Sequence, residues 1–343
     1  MKVYRVREGN LRRLVDDLVS KGYIVIAPTI EEPQGTVMTE VTTGRDVTLD
    51  AGIVYPSPRY FLQPNEEPLF TCEGPTPYEI ERVTPVIDER KNAFFCIHPC
   101  DCNAIAVLDS VHSTEPRDVH YLERRRRALI IVLSCAEKPS DKCFCDVLAC
   151  DKPWYGTYDL WIVPREGEYL VKVGSARGRE VIDGIEKEVI EETIVESTGP
   201  NPKAAEELVR ILDQKYGADV WSKFAEKCMI CGSCLAVCPT CHCFEIEDRV
   251  LSLVPFKCTR VRKWDPCIFR YFTMVAGGRV ARADPTERFK HRYYHKFVFM
   301  WRKYGVFGCV GCSRCAIVCP AAISPLDVLS EVVGIEVLKS LRT

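Results

Sequence analysis

The sequence predicts an α+β protein, with an N-terminal α/β domain over residues 1–196 and a mainly helical domain over residues 197–343. Three observations carry this division. Helical and strand-like periodicities alternate through the first half, as they do in a sheet flanked by helices. Glu196-Ser197-Thr198-Gly199-Pro200-Asn201-Pro202 has the composition of a linker. Beyond it one cysteine pattern occurs twice, as Cys228-Met-Ile-Cys231-Gly-Ser-Cys234-Leu-Ala-Val-Cys238-Pro239 and Cys309-Val-Gly-Cys312-Ser-Arg-Cys315-Ala-Ile-Val-Cys319-Pro320, 81 residues apart throughout.

In chain order, Leu11, Leu14, Val15, Leu18 and Val19 recur at helical spacing between Asn10 and Lys21, and Tyr23 to Ala27 then read as a strand. From Thr36 to Pro77 short β-like pieces, Val37 to Val41 and Arg59 to Leu62, are broken by Pro56, Pro58, Pro64 and Pro68. Ala93 to Ile97 is a candidate buried strand; after His98-Pro99-Cys100-Asp101, residues Ala104, Ile105, Val107 and Leu108 fall on a helix. Asp101 is placed to cap that helix, which puts Cys100 at its positive end, where a thiol ionises more readily. Leu129 to Leu133 is a second strand, ending at Ser134-Cys135, and the loop after it carries Cys143-Phe144-Cys145. Strand ends and adjoining loops are where α/β domains hold functional groups. The plain alternative for each of these cysteines is a small buried hydrophobe. Tyr158 to Pro164 and Tyr169 to Val173 read as a hairpin returning to the sheet, and helices over Ala204 to Tyr216 and Asp219 to Glu226 lead into Cys228.

Composition narrows the class. At 343 residues the chain has room for two or three domains, and a net charge of -2 excludes an extreme polyelectrolyte. Twenty cysteines, with a start (Met1-Lys2-Val3-Tyr4-Arg5-Val6) that lacks the apolar core of a secretory signal, point to metal ligands in a reducing compartment. The longest apolar run, Ala128 to Cys135, is too short to cross a bilayer, so a cytoplasmic protein without membrane contact is expected.

In C-x-x-C-x-x-C-x-x-x-C-P, three cysteines wrap a short loop around one cubane, and in two-cluster ferredoxins the fourth ligates the other cluster. Structural zinc takes two separated pairs instead. Two [4Fe-4S] clusters with crossed ligation are therefore expected: Cys228, Cys231, Cys234 and Cys319 on the first, and Cys309, Cys312, Cys315 and Cys238 on the second. Cys241, Cys243 and Cys267 exceed this requirement. They are expected to pack or hydrogen-bond around the first cluster, with an extra metal site as the rival.

Residues 244–303 form a basic insertion between the runs, and from Lys257 to Lys303 there are 13 Lys and Arg against three acids, Asp265, Asp284 and Glu287. Interleaved aromatic residues such as Trp264 and Tyr271 raise an iron-sulfur nucleic-acid-binding protein as the reading from another class. The others are a solvated face, and an offset to anionic clusters that also docks an acidic partner. The last is preferred, because no recognisable nucleic-acid module accompanies the charge.

The runs do not stand alone. Pro239-Thr240-Cys241-His242-Cys243-Phe244, Arg262-Lys263-Trp264-Asp265-Pro266-Cys267, Ala276-Gly277-Gly278, Arg288-x-x-x-Arg292 and His295-Lys296-Phe297 accompany them. With His98-Pro99-Cys100-Asp101, Leu108-Asp109, Ser134-Cys135 and Cys143-Phe144-Cys145, this chain resembles the beta (iron-sulfur) subunits of soluble nickel-iron hydrogenases, or sulfhydrogenases. The related A subunits of anaerobic sulfite reductases share the pattern. The resemblance implies a non-catalytic electron-transfer subunit of a multi-subunit oxidoreductase. Its partners would be a flavoprotein subunit that handles NAD(P)H and a catalytic subunit with a nickel-iron site or, in the sulfite reductase alternative, sirohaem. In keeping with this, Ala276-Gly277-Gly278 lacks the G-x-G-x-x-G form of a dinucleotide fingerprint.

The resemblance also implies a third [4Fe-4S] cluster on Cys100, Cys135, Cys143 and Cys145, with zinc on the same four thiolates as the rival because zinc needs only a tetrahedron. Cys72, Cys96, Cys102, Cys150 and Cys258 depart from the family pattern and have no assigned role, Cys96 being expected in the core. The long gap between the runs favours a helical two-cluster domain, of the kind in fumarate reductase iron-sulfur subunits, over a compact β-rich ferredoxin.

Overall fold

The computed structural model describes residues 2–32 and 35–342. Its strands are β1 (Val3–Val6), β2 (Ile24–Glu31), β3 (Gly35–Val41), β4 (Glu66–Gly74), β5 (Arg82–Pro85) and β6 (Asn92–Ile97), then β7 (Leu129–Leu133), β8 (Leu160–Arg165), β9 (Glu168–Val173), β10 (Glu188–Ile190), β11 (Phe244–Leu253) and β12 (Phe256–Trp264). The larger sheet has the order β10-β1-β9-β8-β7-β6-β2-β3. Its middle strands, β8, β7, β6 and β2, run parallel. Parallel strands are covered on both faces, which is why β6 and β7 read as unbroken apolar runs.

Helix α1 (Glu8–Ser20) presents Leu11, Leu14, Val15 and Leu18 to one face of this sheet. The predicted strand at Arg59 to Leu62 is instead a helical turn, α2 (Arg59–Leu62). Pro58, at φ -54°, opens the turn, and local β propensity yields to a geometry that carries both Arg59 and Leu62 inward. On the other face lie α3 (Pro99–His112) and α4 (Val119–Arg127), which contribute Ile105, Leu108 and Tyr121, while α5 (Ala176–Ile182) joins α1.

After the linker come α6 (Pro202–Gln214), α7 (Val220–Ala225) and α8 (Ser233–Ala236). Then α9 (Pro285–Tyr294) passes through a π-helical turn, His295–Phe299, into α10 (Met300–Tyr304), and α11 (Arg314–Ile317), α12 (Pro325–Val333) and α13 (Ile335–Lys339) follow. Two features tie this half to the first. The hairpin β11–β12, the opening of the basic insertion, pairs through β12 with β4, giving a second, antiparallel sheet of order β11-β12-β4-β5. A single apolar core also runs from Val107, Phe144 and Leu148 to Trp221, Phe289, Phe297 and Leu329.

The pairing uses much of the basic charge. Arg262 is buried against Glu67 and Asp118, Arg260 pairs with Asp248, and Lys263 reaches Glu245 and Glu247. The charge that raised the nucleic-acid reading is thus met, at these positions, by acids of β4 and β11 and by Asp118 at the start of α4. Several unassigned cysteines find places too. Cys96 lies in the core at φ +56°, where β6 slips its register against β7 just before Cys100. Cys102 is buried beside Thr157, and Cys258 stands directly across the sheet from Cys72.

Candidate metal centre

The two cysteine runs fold alike. In the first, Ile230 and Gly232 have φ +52° and +78°; in the second, Gly311 and Ser313 have φ +68° and +60°. Those positions, and the one-turn helices α8 and α11 that follow, are separated by the same 81 residues as the cysteines. Left-handed residues at both places curl each loop back on itself, so its first three thiols converge.

Each loop closes one cavity, and the other run completes it. One cavity is lined by Cys309, Cys312, Cys315 and Cys238, with Phe144, Tyr293 and Phe297 around them. The other is lined by Cys228, Cys231, Cys234 and Cys319, among Ile230, Ile268, Phe289 and Ile323. Arg292 borders both.

The cavity walls combine apolar side chains with buried cations. Lys296 Nζ donates to Cys238 Sγ (3.2 Å), Thr240 Oγ1 (3.0 Å) and the Gly308 carbonyl (2.7 Å). Burial pushes the Cys238 thiol up, but Lys296 and Thr240 together hold it below its ordinary value. On Cys309 burial outweighs the pull of Lys296, and the thiol is pushed up to about 12. Cys231, at the surface, is drawn down by hydrogen bonding to Ser233. Among the described residues neither Lys296 nor Arg292 has a carboxylate partner, and Arg292 Nε has no hydrogen-bond partner at all. Buried cations without counter-ions are costly. Both cavities therefore suit an anionic guest held by four thiolates, which is the charge type of a [4Fe-4S] cubane.

Near the N-terminal cysteines, β6 and β7 are parallel neighbours, so Cys100 in the first turn of α3 and Cys135 after β7 share one sheet edge. Cys100, Cys135, Cys145 and also Cys150 line an open cavity there. Cys143 turns from it toward the Cys312 carbonyl at 3.9 Å, yet its charge still bears on both Cys135 and Cys145, which burial first pushes up to about 12. Cys150, left without a role in the sequence, has its thiol bonded to the Leu148 carbonyl at 3.3 Å. The N-terminal loop is docked on the second cysteine run: Phe144 N donates to the Gly311 carbonyl at 3.0 Å, and a Cβ on Gly311 would lie 2.5 Å from Cys145 N.

Two expectations at Cys100 need correction. Asp101 caps no helix; it is fully buried in a two-pronged ion pair with Arg314 Nη1 and Nη2, at 2.6 and 2.7 Å. Arg314, the residue before Cys315, draws the carboxylate away from the helix end. The Cys100 thiol, far from ionising readily, is raised well above its usual value by burial and then by Asp101 and Cys312. His98, Cys100 and Asp101 bring their donor atoms within 4.8 Å of one another, but Arg314 occupies both Asp101 oxygens.

Cys241, Cys243 and Cys267, expected to pack around the first cluster, do not line its cavity. They line a separate one with His242 and His295.

Comparison with known proteins agrees with this geometry. Residues 227–323, which hold both cysteine runs, match a 4Fe-4S dicluster domain family. The chain is 34% identical, over 308 residues, to sulfhydrogenase 2 subunit beta of Pyrococcus furiosus, an alignment covering 85% of this chain and 87% of that protein. The chain belongs to the sulfhydrogenase beta-subunit family. No solved structure matches it. Iron-sulfur binding in this family member is thus supported by the dicluster domain and by the cysteine cavities. No helix among its described residues is long and apolar enough to cross a membrane. The N-terminal cysteines and the Cys241, Cys243 and Cys267 cavity include residues outside the dicluster match or beyond its eight motif positions.

Proposed function

We propose that the chain is the iron-sulfur electron-transfer subunit of a sulfhydrogenase-type complex, working between a flavoprotein subunit that handles NAD(P)H and a nickel-iron catalytic subunit. The observation that carries this reading is the pair of cavities in which three cysteines of one run meet the fourth of the other. In it, Cys228, Cys231, Cys234 and Cys319 ligate one cubane, and Cys309, Cys312, Cys315 and Cys238 the second. Cys100, Cys135, Cys143 and Cys145 ligate a third at the sheet edge. Cys143 is preferred to Cys150 because the family resemblance carries it and its charge bears on both Cys135 and Cys145, whereas the Cys150 thiol is bonded to the Leu148 carbonyl at 3.3 Å. When bound, a [4Fe-4S] cubane accepts and returns single electrons at a potential set by charge, hydrogen bonds and exposure.

The side chains arrange these sites as a relay. Cys135 and Cys231 are exposed, while Cys238 and Cys312 between them are buried, so the route has two surface ends and a dry middle. Cys143 joins the N-terminal site to the Cys312 loop, and Arg292 joins the two enclosed cavities. Phe144, Tyr293 and Phe297 exclude water from the middle station.

In the assembled complex, Cys238→Ser should abolish hydrogen-dependent NAD(P) reduction while the catalytic subunit still reduces an artificial dye. Undiminished NAD(P) reduction would overturn the relay. For the N-terminal site, Cys143→Ser should remove about four irons per chain and Cys150→Ser none. The reverse pattern transfers the ligand role to Cys150, and loss of zinc in place of iron rules out the cluster there.

A further inference from the structure

The hairpin that pairs with β4 has a second consequence at its base. Cys241 and Cys243 directly precede β11, and Cys267 follows β12 by three residues. Pairing of Phe244 with Trp264, and a hydrogen bond from Asp265 N to the Cys243 carbonyl at 3.3 Å, bring the two ends together. Cys243 then lies beside both Cys241 and Cys267. The three thiols line one cavity, which shares Thr240, Arg292 and Lys296 with the cavity of Cys309, Cys312, Cys315 and Cys238.

The charge around this cavity is unbalanced. Arg59 is 2% exposed, its guanidinium lies 3.4 Å over the Trp264 ring, and it donates only to the Leu235 and Cys238 carbonyls. Its Nε has no hydrogen-bond partner, and among the described residues no carboxylate faces it. Arg59 thus adds a third buried cation to Lys296 and Arg292, which already border the Cys238 cavity, and it lies within reach of Cys241 and Cys243 as well as Cys238. His242 also lines the cavity. Its Nδ1 bonds the Thr240 carbonyl at 3.1 Å, the arrangement that orients a ligating imidazole and leaves Nε2 as the donor.

We infer that Cys241, Cys243 and Cys267 hold a further [4Fe-4S] cubane, with His242 Nε2 as its fourth donor, next to the middle station of the relay. A zinc ion would need thiolate sulfurs about 3.8 Å apart, from the tetrahedral Zn–S distance. Three thiols and an imidazole are also a zinc donor set, so zinc is the rival that metal analysis separates from the cubane. The expectation that these cysteines only pack around the first cluster is replaced by this assignment.

The test uses the full chain, purified anaerobically, with iron and zinc analysis and EPR of the reduced protein. Cys267→Ser should lose about four irons per chain and one EPR component, the remaining components reporting that the fold is intact. Cys243→Ser should lose the same component, and Cys258→Ser, across β4, none. Cys319→Ser should remove a different component, which separates this site from the paired clusters. His242→Gln should keep the component with altered g-values; an unaltered spectrum would overturn the histidine assignment. Unchanged iron in Cys267→Ser with only a shifted potential, or loss of one zinc, would overturn the cubane.

Discussion

Lys296 is the residue whose removal most directly tests the charge argument. The residue is 8% exposed, and its ammonium lies 3.2 Å from Cys238 Sγ. At that separation, with an effective dielectric of about 20, a unit charge pair interacts by about 5 kcal/mol. An electron added on reduction is spread over the cubane and lies on average farther off, so roughly half of this, about 2–3 kcal/mol, bears on the redox step. For a one-electron couple that is about 90–130 mV. Lys296→Met removes a cation that stabilises the more negative, reduced state. The potential of the cluster held by Cys238, Cys309, Cys312 and Cys315 should therefore fall by that amount. Anaerobic redox titration followed by EPR measures it, with Lys296→Arg as the charge-conserving control and Lys303→Met as an exposed one. Because the pair is buried, the shift should persist at high salt. A change under about 20 mV, or a rise, would refute the reasoning.

Three further substitutions probe the frame around the clusters. Cys319→Ser should disrupt the cluster of Cys228, Cys231 and Cys234 and spare that of Cys309, Cys312 and Cys315; the opposite spectroscopic result sinks the crossed ligation. Gly311→Ala places a methyl 2.5 Å from Cys145 N at φ +68°. It should cost about 1–2 kcal/mol in backbone strain alone, push the Phe144-Cys145 loop away and lower iron content; unchanged iron and melting temperature count against the close approach. Asp101→Asn leaves Arg314 buried without its counter-charge and should destabilise the chain by about 3–5 kcal/mol in urea unfolding, while Asp101→Asn with Arg314→Met recovers much of that loss. Equal losses in the single and double variants would show that the pair is not the cause.

Local pattern determined a good part of this protein. The periodicity of Leu11, Leu14, Val15 and Leu18 marks α1, and unbroken apolar runs mark β6 and β7, because a helix face or a doubly covered strand leaves its signature within a few residues. The spacing of the cysteine runs likewise predicts which thiols share a cavity, since ligand spacing within a loop is a local property. Only the tertiary structure decided the rest. That β12 pairs with β4, Arg262 against Glu67, depends on residues 195 positions apart, and an alternating strand carries no mark of its partner. Asp101 read as a helix cap because its neighbours were local, whereas a buried guanidinium 213 residues away outcompetes the helix end. Arg59 read as the start of a β-like piece, and nothing set Arg292 and Lys296 apart from the other cations of the basic insertion; burial beside the thiols, which no composition reveals, makes these three the counter-ions of the cysteine cavities.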